Sequence, residues 1–378
     1  MADLTHTALG AWSGGRFLHF GEPVEEERLV KLLRPRAGVD TVITADAYGA
    51  GAADEIVARA LDGLPRDSYR LVGAIGHDFY EGERQGAKGY QRFTDPLLRA
   101  PDAYADYIRM ATERSLERCG VDRFDLLLLH NPDRAGFTSD AVWEGLRAVR
   151  DEGLTDMLGV APGPANGFTL DLIDCLERFG ADIDWAMVIL NPFEPWPGEL
   201  VLSAAARHDV KLLTRVVDYG GMFHGDVAPG HPFGPRDHRT FRPDGWVESG
   251  WQKLAQLRPI ARRHGLTTLQ LACHWNLAHD PVCCVAPTLI QEPGEGARSV
   301  EQQRAELAAL SVEQVLSAEE VAEIRAIGDN TGSMALKGGA PDYDGEPAAD
   351  RWPLDAGLRE VAARWAIDPD AALRRCVS

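Results

Sequence analysis

Eight short apolar runs, separated for most of the chain by segments of helical period, constrain this sequence more than any other feature. The runs "TALGAW" (7–12), "VDTVITA" (39–45), "YRLVGAIG" (69–76), "FDLLLLHN" (124–131), "MLGVAP" (157–162), "WAMVILN" (185–191), "VKLLTRV" (210–216) and "VCCVAP" (282–287) read as strands buried in a parallel sheet. Between them, "DAYADYIRMATERSLERCG" (102–120) places apolar residues at i, i+3, i+4 and i+7 and ends on Gly120, as a helix C-cap does. "AVWEGLRAVRDEG" (141–153) and "LQLACHWNLAH" (269–279) behave alike. Eight strands alternating with helices predict an α/β fold, a (β/α)8 TIM barrel with long loops at its C-terminal face. A chain of 378 residues, 45% of them hydrophobic, suffices to bury one such core.

In this fold the chemistry sits at the C-terminal strand ends, so those ends are where candidates are sought. In chain order they carry Trp12, then Asp46 and Tyr48, His77 and Asp78, and His130 with Asn131 and Asp133. Pro162, Asn191 with Glu194, Arg215 with Asp218, and Pro287 with Thr288 follow. A lone histidine there is usually structural; several converging polar groups indicate a site. The formal charge of −19 argues against a nucleic-acid partner, which needs clustered Lys and Arg. The N-terminus lacks a signal-peptide pattern and no apolar run approaches a membrane span, so a cytoplasmic protein acting on a small molecule is expected. The six cysteines show no metal-ligand rhythm, and none of the site groups calls for a metal.

These motifs resemble the aldo-keto reductase superfamily. "LGAWSGGR" followed by "GVDTVITADAYGAGAADEIVARAL" is similar to that family's first strand and its F-D-T-A-x-x-Y-G segment, and "SLERCGVDRFDLLLLHNPD" to its S-L-x-R-L-x-x-D-x-x-D-L-x-x-x-H segment. Weaker similarity extends the match over roughly residues 5 to 330. The resemblance implies hydride transfer between NADPH and a carbonyl or alcohol by four residues: a tyrosine that donates the proton, a lysine that lowers its pKa, an aspartate that holds the lysine, and a histidine that orients the substrate. Tyr48 matches the tyrosine and His130 the histidine. The aspartate falls on Ile43 and the lysine on Ala74. The two losses are coupled, because a carboxylate with no ammonium to hold would be an unpaired buried charge.

The cofactor positions implied by the resemblance are altered as well. The Ser-Asn pair, the Gln and the stacking Tyr that hold nicotinamide in relatives become Ala161-Pro162, Met187 and Leu190. Near the last strand, "QQRAELAAL" offers Gln302, Ala305 and Glu306 where relatives bind the 2′-phosphate, leaving Arg298 or Arg304 to compensate. No cofactor is therefore assigned, although the family implies NADPH. Three readings follow. The leading one is non-redox acid/base chemistry, elimination, dehydration or isomerisation, by Tyr48 and His130 with His77. The alternative is an NADPH-dependent reductase in which His77, Lys88 or Lys337 replaces the lysine. The third is a non-catalytic binding subunit. Trp12, Asp46, Asp78, Asn131, Asn191, Glu194, Arg215 and Asp218 are the expected substrate contacts, and their polarity suits a hydroxylated, sugar-like carbonyl compound.

Two segments stand apart. "DYGGMFHGDVAPGHPFGPRDHR" (218–239), with three histidines and three aspartates, reads as a loop covering the substrate rather than a metal site. The barrel is expected to occupy residues 1–333. An extension over 334–378, irregular and then helical, follows it, either crossing the mouth with Lys337 or Tyr343 or packing outside, on the barrel or as a contact in a homo-oligomer.

Overall fold

All eight expected strands form, in a computed structural model that describes residues 3–84, 89–163, 169–242, 244–331 and 355–368. They are β1 (Ala8–Gly10), β2 (Thr41–Ile43), β3 (Arg70–Ile75), β4 (Phe124–His130), β5 (Thr155–Ala161), β6 (Trp185–Ile189), β7 (Lys211–Arg215) and β8 (Val282–Ala286). The order β1 to β8 is sequential and every pairing is parallel. A parallel bridge between Thr7 and Val285 returns β8 to β1, making a (β/α)8 barrel.

Pleat alternation divides each strand between two cores. Val42, Leu71, Ile75, Leu127, Leu129, Leu158 and Val160 face outward to the helical layer. Ile43, Val72, Ala74, Leu126, Leu128, Met157, Ala161 and Met187 face inward, forming a separate cluster inside the barrel. The expected helices are Tyr104–Cys119, with Gly120 as its left-handed cap at φ 67°, Asp140–Asp151 and Thr268–Leu277. Among the described residues, no helix is long and apolar enough to cross a membrane.

Of the C-terminal extension, the helix Ala356–Arg364 is described. It lies against the helix Thr169–Phe179, with Trp365 Nε1 donating to Glu177 at 2.9 Å. Lys88, Lys337 and Tyr343 lie outside the described residues.

Candidate active site

Inward parity places His130, the last residue of β4, above Leu128 and Leu126 at the barrel mouth. Gly76 lets β3 end close to it: a Cβ there would stand 2.2 Å from the His130 carbonyl oxygen. Tyr48 leaves the turn after β2, where its amide donates to the Ala45 carbonyl at 3.0 Å. The Tyr48 and His130 rings meet edge to face, their centroids 5.7 Å apart.

Both rings border one cavity. Trp12, Leu18 and Phe20 wall one side, Ala161, Pro162, Met187 and Ile189 another. Asn131, Arg215, Val216, Asp218, Gly220 and Thr288 complete the strand-end rim, with His238, Arg239 and Arg242 from the following loop. Of the expected contacts, Trp12, Asn131, Arg215 and Asp218 thus come together with Tyr48 and His130. Asp46, Asp78, Asn191 and Glu194 do not border the cavity.

Burial raises the Tyr48 pKa above its ordinary value, and the nearby Arg215 guanidinium only partly opposes this. Burial drives His130 well below the usual imidazole range, reinforced by His77, Arg215 and Arg92. At neutral pH the site therefore presents an uncharged phenol and an uncharged imidazole. The Nδ1 of His130 is buried without a partner. Ile43 and Ala74 lie in the interior cluster on which Tyr48 packs, 1% and 4% exposed, so the two positions are apolar core beneath the cavity residues.

His77 is held as a structural group. Its Nδ1 lies 2.9 Å from the Tyr90 carbonyl, its Nε2 lies 3.0 Å from Asn131 Nδ2, and burial followed by the Arg92 charge lowers its pKa to about 3. An imidazole neutral in this way supplies no cation in place of a lysine. It stands edge to face with His130, the ring centroids 5.2 Å apart, and packs against that ring. Asp78 accepts from the amides of Tyr80 and Glu81 and pairs with Arg99 at 2.8 Å, bracing the loop after β3. Asn191 accepts from the amides of Phe193 and Glu194 and donates to Glu194 and to the Val216 carbonyl, each at 3.0 Å. Glu194 binds Arg242 at 2.8 Å.

Asp46 is fully buried and neither carboxylate oxygen has a partner. Burial, then the Asp54 charge, pushes its pKa well above the ordinary value. A carboxyl raised on folding adds stability below its unfolded pKa and loses it as pH rises toward the folded value. Relative to the parent, Asp46→Asn should gain about 1.4 kcal/mol per pH unit across that window, starting near pH 4. Melting curves of the two proteins between pH 4.5 and 7.5 check this, and parallel pH dependence would refute it.

The charged cavity residues that sequence reasoning did not assign are Arg239 and Arg242. Each is neutralised: Arg239 by Asp237 at 2.7 Å and by Glu292, Arg242 by Glu194. Their signal was the spacing of "DHRTFR" (237–242), which holds Asp237 beside Arg239, whereas Glu292 and Glu194 come from positions far along the chain. The loop's histidines are likewise engaged, His224 with the Thr288 carbonyl, His231 with Glu292 and His238 with the His19 carbonyl. Among the described residues, no group of three His, Cys, Asp or Glu is arranged to hold a metal.

The implied nicotinamide nucleotide can be tested against these walls. Ala161, Pro162, Met187 and Ile189 offer an apolar face for an aromatic ring, while two of the three rim arginines, Arg239 and Arg242, are already held by carboxylates. Leu190 is core, not wall. Arg304 donates to the carbonyls of Leu32 and Arg34 at 2.8 Å each, and Arg298 to Glu306, so both candidate 2′-phosphate ligands are engaged.

The aldo/keto reductase family model matches residues 8–329. A D-threo-aldose 1-dehydrogenase from a Pseudomonas species is 26% identical over 243 residues, covering 60% of this chain and 68% of that protein. A 6-dehydroglucose reductase from Agrobacterium fabrum is 23% identical, covering 64% and 70%. Among solved structures, a glycerol dehydrogenase from Gluconobacter oxydans superposes with a TM-score of 0.67 at 21% identity, covering 86% of this chain and 92% of its own.

Proposed function

Because the chain belongs to the aldo/keto reductase family, we propose that it is an oxidoreductase interconverting a carbonyl and an alcohol on a hydroxylated, sugar-like compound. The observation that carries this is the edge-to-face pair of Tyr48 and His130 on one cavity. The non-redox reading of the sequence gives way to the reductase alternative. The relatives are dehydrogenases and reductases by name, and two of those names carry a sugar.

In reduction, the carbonyl oxygen would sit between the Tyr48 hydroxyl and the His130 imidazole. A neutral imidazole can donate a hydrogen bond to that oxygen without taking a proton from it. Tyr48 delivers its proton as negative charge develops there, and the two donors together stabilise that charge. A reduced nicotinamide nucleotide, when bound, supplies the hydride that adds to the carbonyl carbon. Met187 and Ile189 would back the ring.

The test is titration of the purified protein with NADH and NADPH, followed by turnover with aldoses and ketoses. With Arg298 and Arg304 engaged, NADPH is expected to bind more weakly than micromolar and to gain no advantage over NADH. Failure of both nucleotides to support any hydride transfer would refute the oxidoreductase reading.

A further inference from the structure

Three arginines border the cavity, and Arg215 differs from the other two. Arg239 and Arg242 each hold a carboxylate. Among the described residues Arg215 makes no ion pair; its Nη2 donates to the Pro162 carbonyl at 2.8 Å and its Nε is buried without a partner. Asp218, the one acidic side chain on the cavity wall among the described residues, accepts from the amides of Gly221 at 2.9 Å and Thr288 at 2.7 Å and so faces the backbone. A guanidinium in such a setting is costly unless an anion meets it.

The backbone that aims Arg215 is also unusual. Val216 follows it with φ 59°, a region β-branched residues avoid. The Val216 carbonyl is held there by Asn191 Nδ2 and by the Tyr219 amide, each at 3.0 Å. Strain of this kind, roughly 1–3 kcal/mol, persists where the surroundings enforce it and clusters at ligand clamps.

We propose that Arg215 seats a carboxylate of the substrate, so that the compound turned over is a hydroxylated acid whose carboxylate lies close to the reacting carbon. A guanidinium meets a carboxylate through two parallel N–H···O bonds, and Tyr48 and His130 share the cavity with it. In a chain of net charge −19, a cation without an ion-pair partner among the described residues is a local point of attraction for an anion. The placement of the carboxylate beside the reacting carbon rests on the oxidoreductase reading of Tyr48 and His130; the seat itself does not.

Binding is measured by calorimetry on the full chain without nucleotide, using D-glucuronate, D-gluconate, D-glucose and inorganic phosphate. The two acids should bind at least about 10-fold more tightly than glucose. Arg215→Met should abolish that difference, and Arg215→Lys should keep part of it. Circular dichroism checks folding, and Arg215→Met should melt no lower than the parent because it removes an uncompensated charge. Equal binding of glucose and both acids, or acid binding unchanged in Arg215→Met, overturns the proposal. So does phosphate binding that exceeds acid binding and is lost in that variant, which would assign Arg215 to a phosphate. Acid binding that depends on Arg215, without hydride transfer to any nucleotide, supports the seat while refuting the oxidoreductase reading.

Discussion

Tyr48→Phe is expected to lower turnover by about 100-fold or more while leaving the fold and substrate binding nearly intact. On the proposed mechanism the phenol beside His130 is the proton donor, and its removal deletes one oxygen without opening space in the interior cluster on which the ring packs. His130→Ala should cost a similar factor, with part of the loss in KM, because that ring also positions the substrate oxygen. The pH dependence separates this role from a purely structural one. Tyr48 must be protonated to donate, and burial raises its pKa above the ordinary value of about 10. Reduction should therefore stay level from pH 6 to 9 and fall only at still higher pH, whereas the reverse oxidation should rise steadily with pH. Stopped-flow rates for both directions provide the measurement. Full activity in both variants would move the chemistry elsewhere in the cavity.

The second large effect concerns the two altered positions. Ile43→Asp or Ala74→Lys alone should destabilise the barrel by about 3–5 kcal/mol, since each places an unpaired charge among apolar interior residues. Introduced together, the carboxylate and the ammonium can pair, and the double variant should recover much of that loss. The new ammonium beside Tyr48 favours its ionised form, lowers its pKa and makes it a better acid. If the oxidoreductase reading is right, the double variant should reduce carbonyl substrates faster than the parent, with the high-pH fall moving to lower pH. Chemical unfolding of the four proteins and pH–rate profiles of the two active ones provide the readouts. Additive destabilisation would mean that the two side chains do not meet.

The strands were legible because each is a short apolar run whose burial on both faces leaves little other use for it, and pleat parity then assigns Ile43, Ala74 and His130 to the interior. The pairing of Tyr48 with His130 was legible through the motif spacing. The roles of the neighbours were not. His77 and Asn191 look like available polar groups in the sequence, but Tyr90, Arg92 and Asn131 surround the first, and Glu194 with the Val216 carbonyl engages the second. Asp46 is two residues from Tyr48, yet it is buried away from the cavity beside the Asp54 carboxylate.

What the sequence by itself determined is what depends on local period and composition: the alternating strands and helices, the barrel they imply, and the placing of Tyr48 and His130 at C-terminal strand ends. Only the tertiary structure decided which polar groups remain free. Arg239 is neutralised by Asp237 beside it and by Glu292, 53 residues away, and Arg242 by Glu194, 48 residues away, while among the described residues Arg215 is left with a single backbone carbonyl. Whether a charge is satisfied depends on side chains brought together by folding, at separations that no local pattern encodes, and that is why the one unpaired guanidinium on the described cavity wall became visible only in three dimensions.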